Sequence, residues 1–184
     1  MPFYIDSNHT EAPDKITRAL HKCIQRHNAP WSEIVFLCIG SDRIIGDCLG
    51  PFVGQLLDSC TTAGVSVYGT LQKPVHALNL ELVLNYIHQH HPDSLIIAID
   101  ASLGQKKHLG YVTIDNGSLY PGAAVQKHLP PVGDIHITGI VNISGILAQL
   151  TLQTTRISTV ISLADTIARG LLPILNASGL IQTL

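Results

Sequence analysis

The stretch Ile34-Val35-Phe36-Leu37-Cys38-Ile39-Gly40-Ser41-Asp42-Arg43-Ile44-Ile45-Gly46-Asp47-Cys48-Leu49-Gly50-Pro51 decides the fold. Six apolar residues stop at Gly40, the pattern of a strand buried on both faces, and the residues after Gly50 take up helical spacing. The loop between them therefore stands at the C-terminal end of a strand, where open α/β sheets bind ligands. Gly40, Gly46 and Gly50 do not fit G-x-G-x-x-G, and Asp47 follows Gly46 where a phosphate-binding loop carries lysine. A carboxylate at that point repels a nucleotide phosphate. The loop instead presents an acid, either for proton transfer or as a hard oxygen ligand to a metal.

A second acid arrives in the same setting, in Ser94-Leu95-Ile96-Ile97-Ala98-Ile99-Asp100-Ala101-Ser102-Leu103-Gly104. An apolar run again ends on an aspartate, followed by small residues and a glycine that keep the loop uncrowded. Asp47 and Asp100 are expected on the same sheet edge, facing each other across the crevice if their strands are neighbours. Taken singly, each has a plain alternative: Asp47 caps the following helix, and Asp100 merely ends a strand. The coincidence of both is harder to dismiss.

Working outward, Ile16, Ala19, Leu20, Cys23 and Ile24 form a helical stripe with Pro13 in its first turn, which predicts a helix over about 10–28 packed outside the sheet. Phe52, Val53, Leu56, Leu57 and Cys60 form a second stripe, and Gly64 ends it before a short strand, Val65-Ser66-Val67-Tyr68. Next come a loop with Lys73-Pro74-Val75-His76, Asn79 as a cap, and a helix to about His90. Gly110–Ile114 alternates like a half-exposed strand, and the turn-rich segment to Pro130-Pro131 reads as a binding loop. Ile135–Val141 is a last strand before helices over roughly Ser144–Gly170. Strands alternating with helices predict a mostly parallel sheet with helices on both faces, in a single domain spanning 1–184.

Of 184 residues 46% are hydrophobic, enough for a sizeable core, and a formal net charge of -2 carries no nucleic-acid footprint. The N-terminus lacks a basic region followed by an apolar core, and no apolar run approaches the roughly 18 residues that span a bilayer, which predicts a cytosolic protein without membrane association. Cys23, Cys38, Cys48 and Cys60 form no C-x-x-C pair and read as structural thiols. Cys48 adjoins Asp47, but a neighbouring carboxylate raises a thiol's pKa and counts against a nucleophile.

Around the two acids, His76 reads either as a substrate contact or third metal ligand, or as a residue fixing its own loop. Asp42 and Arg43 either anchor substrate or pair with each other to shape the loop. Lys127 is a candidate substrate contact, against the ordinary reading of a solvated lysine. His88, His90 and His91 sit at one- and two-residue spacing near a helix end, which points them in different directions and argues for a surface role. Ser102 and Ser144 lack a G-x-S-x-G elbow.

These elements resemble the YyaC-type sporulation family of spore-forming bacteria, which is similar to the germination protease and, more distantly, to hydrogenase maturation endopeptidases. The resemblance rests on Cys38-Ile39-Gly40-Ser41-Asp42-Arg43 with Gly46-Asp47-x-Leu49-Gly50-Pro51, Pro74-Val75-His76-Ala77-x-Asn79-Leu80, Ala98-Ile99-Asp100-Ala101, Pro121-Gly122 and Gly139-Ile140-Val141-Asn142. It implies a three-layer α/β/α fold, with Asp47 and Asp100 matching the germination protease's catalytic aspartates. In the maturation endopeptidases the matching acids and a later histidine bind nickel of the hydrogenase precursor. Here Ile140-Val141-Asn142-Ile143 has no histidine, and only His136 lies nearby.

The expected activity is cofactor-free hydrolysis of peptide bonds in a protein substrate by an aspartate pair, since two close carboxyls resist simultaneous ionisation. By resemblance, small acid-soluble spore proteins in the spore or forespore are the substrate class. Two rivals stand beside it: a non-catalytic binding factor with a protease-like crevice, and a metal-dependent hydrolase using Asp47, Asp100 and His76 or His136. The sequence leaves self-association into a homo-oligomer open.

Overall fold

The computed structural model describes residues 1–122 and 129–177. Its elements run β1 (Phe3–Asp6), α1 (Ala12–Gln25), β2 (Glu33–Cys38), α2 (Leu49–Asp58), β3 (Val65–Tyr68), α3 (Leu80–His90), β4 (Ser94–Gly104), β5 (Tyr111–Asn116), β6 (Ile135–Ile143), α4 (Ala148–Gln153) and α5 (Ile157–Ala177). Single 3-10 turns lie at Ile45–Asp47 and Lys106–His108.

The six strands form one sheet in the order β1-β5-β6-β4-β2-β3. β3, β2, β4 and β6 are mutually parallel, while β5 runs antiparallel to β6 and β1 antiparallel to β5. The chain leaves β2 toward β3 on one side and reaches β4 on the other. The strand order therefore reverses at β2, and its C-terminal end opens a crevice against β4.

Period-two alternation sends β2 into two cores. Ile34, Phe36 and Cys38 pack with α1, α2 and α5 through residues such as Ile16, Leu57 and Ile167. Val35, Leu37 and Ile39 pack against Leu80, Leu84 and Ile87 of α3 on the other face. The result is three layers, as the resemblance implies. Each fully buried aliphatic side chain adds roughly 1.5–3 kcal/mol, so the doubly covered β2 is the molecule's anchor.

Three expectations are corrected. β1 is absent from the sequence reading, because a four-residue strand with Ile5 as its only buried side chain carries no usable period. On α2, Leu56 and Cys60 are exposed, and the buried face is Leu49, Gly50, Val53, Gly54 and Leu57. Those glycines bring the helix onto the strand ends: a Cβ on Gly50 would overlap the Ile39 carbonyl, and one on Gly54 the Gly69 carbonyl. Lastly, Ile157–Asn176 is long and apolar enough to cross a bilayer by length and composition. Its apolar stripe, Val160, Leu163, Ile167, Leu171 and Leu175, is buried in the core, which accounts for that composition.

Candidate active site

The Asp47 loop is folded by backbone contacts. Ile39 N–H donates to the Ile99 carbonyl at 2.7 Å, carrying β2 one step past its last strand residue, and Gly40 N–H then donates to the Val75 carbonyl at 2.8 Å. Gly40 has φ +147, and a Cβ there would overlap the Asp47 carbonyl. That closeness lets the loop fold back, so Ser41 N–H reaches the Asp47 carbonyl at 3.0 Å. Cys48 Sγ donates to the carbonyls of Ser41 at 3.0 Å and Ile44 at 3.3 Å. Burial first, then the charges of Asp47 and Asp42, push its thiol up. Cys48 is a strut of the loop with none of the properties of an activated nucleophile. It also occupies the N-cap of α2, the place that the capping alternative gave to Asp47.

Asp100 does not end its strand. β4 continues four residues further, to Gly104, paired with β6 alone. The β2 pairing stops at Cys38 opposite Ile99, so Asp100 is the first residue of β4 without a β2 neighbour. A single apolar run could not reveal this, because the stop is set by the partner strand. Asp100 is only 7% exposed, and its Oδ1 accepts from Ala101 N–H at 2.7 Å. Burial and, after it, the charge of Asp47 raise its carboxyl well above the ordinary range, against the lowering effect of that hydrogen bond.

Asp47 and Asp100 line one cavity of about 360 Å³. Apolar wall comes from Leu103, Leu119, Ala148 and Leu152, with Tyr120 and Gly122 at the described end of the 116–122 loop. Beside Asp100 runs a hydroxyl chain: Ser102 Oγ donates to Thr138 Oγ1 at 3.0 Å, and Thr138 Oγ1 shares a hydrogen with Thr113 Oγ1 at 2.7 Å. Thr138 sits directly across the ladder from Asp100. Sequence reasoning missed Thr138 and Tyr120. A threonine inside the apolar run Ile135–Val141 was the available signal for the first, and the second lies in the turn-rich segment that reads as a binding loop.

The other candidates are not brought to this cavity. His76 lines a separate depression of about 670 Å³ with Lys73 and Asn79. There its Nδ1 accepts from Leu78 N–H at 3.3 Å, the loop-fixing alternative. Asn79, at the N-cap position of α3, reaches back instead of forward, its Oδ1 accepting from His76 N–H at 2.8 Å. His136 Nδ1 donates to the Gly117 carbonyl at 2.8 Å, away from the cavity lining. The metal set of Asp47, Asp100 and either histidine is thus not assembled, and no three His, Cys, Asp or Glu side chains converge as ligands among the described residues. Asp42 and Arg43 are exposed, and no ion pair among the described residues joins them. Lys127 lies outside the described residues. Of the three helix-end histidines, His91 is no surface group: its Nδ1 meets Glu33 at 2.9 Å and its Nε2 meets the Tyr68 hydroxyl at 2.7 Å.

Fold and cavity together define a three-layer α/β protein with two carboxyl groups at the switch point of its sheet. Residues 4–170 match the family described as "Protein of unknown function (DUF1256)", and the chain belongs to that family. It is 44% identical over 168 residues to the uncharacterized protein YyaC of Bacillus subtilis (strain 168), covering 91% of this chain and 81% of that protein. In fold it is similar to the [NiFe] hydrogenase maturation protease HycI of Thermococcus kodakarensis KOD1, with a TM-score of 0.58. The two share 19% identity over 85% of this chain and 98% of the other, a likeness of fold.

Proposed function

We propose that this protein is a peptidase that hydrolyses a peptide bond with Asp47 and Asp100 acting as one unit. The observation that carries the reading is a single one: a buried carboxyl with a raised pKa shares a cavity with a second, more exposed carboxyl. A pair of this kind holds one proton between two groups, which supplies a base and an acid at once. The protease-type fold agrees with it.

In the forward step the ionised member, Asp47, takes a proton from water as the water oxygen adds to the scissile carbonyl. Protonated Asp100 gives its proton to the carbonyl oxygen, forming a neutral tetrahedral diol. Breakdown reverses the roles. The proton now on Asp47 passes to the leaving nitrogen, the carbon–nitrogen bond breaks, and one diol hydroxyl returns a proton to Asp100. The hydroxyl chain through Ser102 and Thr138 holds the strand next to Asp100 in place. Sporulation as the setting, and small acid-soluble spore proteins as substrates, enter this proposal through the family resemblance alone.

The test is cleavage of a proteome-derived peptide mixture by purified protein, read by mass spectrometry. Wild-type protein is expected to generate new termini, and Asp47→Asn or Asp100→Asn to generate none while keeping a cooperative thermal transition. Undiminished cleavage by both variants would overturn the reading.

A further inference from the structure

We propose that Ala101–Leu103 of β4 is a strand-addition site, on which an extended segment of a substrate protein with neutral, mainly apolar side chains is laid beside Asp47 and Asp100. What is cut there rests on the peptidase reading; that a strand docks there rests on the sheet.

β2 ends opposite Ile99, whereas β4 runs on and stays paired with β6 as far as Gly104 opposite Ile143. Among the described residues no strand lies beside the other edge of these last residues. In a parallel ladder the N–H and C=O of one residue point to the same side, and the side alternates along the strand. Ile99 faces β2, since its carbonyl accepts from Ile39 N–H, and Gly104 faces β6, since its carbonyl accepts from Ser144 N–H at 2.8 Å. The register shift between Ser102 and Leu103 skips Val141 on the β6 side, so Ala101 and Leu103 keep the parity of Ile99 and their main-chain groups face the side that β2 has vacated. Asp100 Oδ1 takes the Ala101 N–H. The Ala101 carbonyl and both polar groups of Leu103 then form the rung spacing that an incoming extended backbone recognises.

The chemistry of the occupant follows from what surrounds that edge. Ala101, Ser102 and Leu103 are all in the cavity wall with both carboxyl groups, and no cationic residue is among its described lining. An acidic side chain brought there is desolvated against Leu103, Leu119, Ala148 and Leu152, whereas an apolar one buries its surface on them. The segment after β6, whose Ser144, Gly145 and Ala148 line the cavity, exposes Ile146 (103%), Leu147 (64%) and Leu150 (53%), and Tyr120 of the cavity wall is 67% exposed. Single exposed apolar residues are ordinary, but Tyr120 lines the cavity itself, and Leu150 is on α4, the helix that gives the cavity its Ala148 and Leu152. An added strand presents its side chains alternately, one set toward this rim, which gives a way of reading apolar residues at every second position.

The experiment uses the full chain carrying Asp100→Asn and a positional-scanning library of capped octapeptides, with binding read by fluorescence. Enrichment of neutral apolar residues and depletion of Asp and Glu are expected. The best octapeptide is then N-methylated one amide at a time. Strand addition requires a period-two pattern, with alternate positions losing about tenfold in affinity and the intervening ones little. Leu103→Pro removes an N–H that β6 does not use, so it should abolish binding while thermal unfolding stays cooperative. Uniform tolerance of N-methylation, selection of acidic peptides, or no octapeptide bound would each overturn the proposal. A dimer in solution that Leu103→Pro dissociates would overturn it too, giving the edge to a second copy of the chain. Cleavage that survives Asp47→Asn would sink the hydrolytic chemistry and leave the alternating pattern standing, so the two failures are distinguishable.

Discussion

Two depressions flank the C-terminal end of β2, and the larger has no buried carboxyl among its described lining. The one toward β3, of about 670 Å³, gathers Asp58, Tyr68, Lys73, His76 and Asn79. Most of that polarity is already engaged: His76 and Asn79 bond to each other's loop, Asn79 Nδ2 donates to the Pro74 carbonyl at 3.0 Å, and Tyr68 is held by His91. The one toward β4, of about 360 Å³, has fewer polar groups but includes a buried carboxyl beside another negative charge. Desolvation of a carboxyl beside a second acid, more than the number of polar side chains, is what singles out a candidate site.

The sharpest way to break this comparison is to neutralise one group in each depression. Asp47→Asn and Asp100→Asn should each lower kcat/KM for a verified peptide by about 10²–10⁴-fold, the range for loss of a general acid or base. His76→Gln should leave it within about twofold, because that side chain serves its own loop. Steady-state cleavage of one peptide by all three variants decides the matter. A collapse of activity in His76→Gln would move the chemistry to the larger depression.

Next in size is the glycine that seats α2. Gly50→Ala gains helix propensity worth about 1 kcal/mol, but its Cβ would overlap the Ile39 carbonyl, and backbone cannot rotate aside. Overpacking of this kind costs about 1–3 kcal/mol, so the net effect should be a Tm lowered by several degrees. Gly64→Ala, with φ +80 and open space around its Cβ, carries only the backbone cost and serves as the control. Differential scanning calorimetry would show the ranking.

The buried carboxyl also ties stability to pH. Asp100 has its native pKa above its unfolded value, so the native state binds more protons between the two, and stability falls as pH rises through that window. Asp100→Asn removes the titration. Its Tm advantage over wild type should be largest above the raised pKa and shrink as pH drops toward about 4, the unfolded value. Cleavage should decline over the same rise in pH, as Asp100 loses the proton it donates. A Tm difference independent of pH would mean that Asp100 is not held protonated.

How much of this was legible in the chain follows from which interactions are local. β2, α1, α3 and the Asp47 loop were readable because periodicity and glycine placement are written in consecutive residues. Both acids were found for the same reason. What was missed depends on partners distant in sequence: the end of β2 that leaves Asp100 without a ladder neighbour on that side, the short edge strand β1, and the Thr138 hydroxyl across the ladder. For His76 and His136 a metal ligand stood among the alternatives, because a histidine's place along the chain says nothing of the carbonyl or amide that engages it in space. Residues such as His91 and Glu33, 58 positions apart, give no local sign of pairing.

The smallest effect separates the rims of the two depressions. Asn142 Nδ2 donates to the Thr151 carbonyl and to Thr155 Oγ1, both at 3.1 Å, and so ties the end of β6 to α4. Asn79 makes two comparable hydrogen bonds across the other loop. Removing either by alanine should cost about 1 kcal/mol, visible as a similar small drop in Tm. Their kinetic consequences should differ. α4 carries Ala148 and Leu152 of the cavity wall and the exposed Leu150, so loosening it weakens substrate binding without touching the carboxyl groups. Asn142→Ala should therefore raise KM a few-fold with kcat nearly unchanged, while Asn79→Ala changes neither. Equal KM values in the two variants would mean that α4 is scaffold alone and that substrate is held elsewhere.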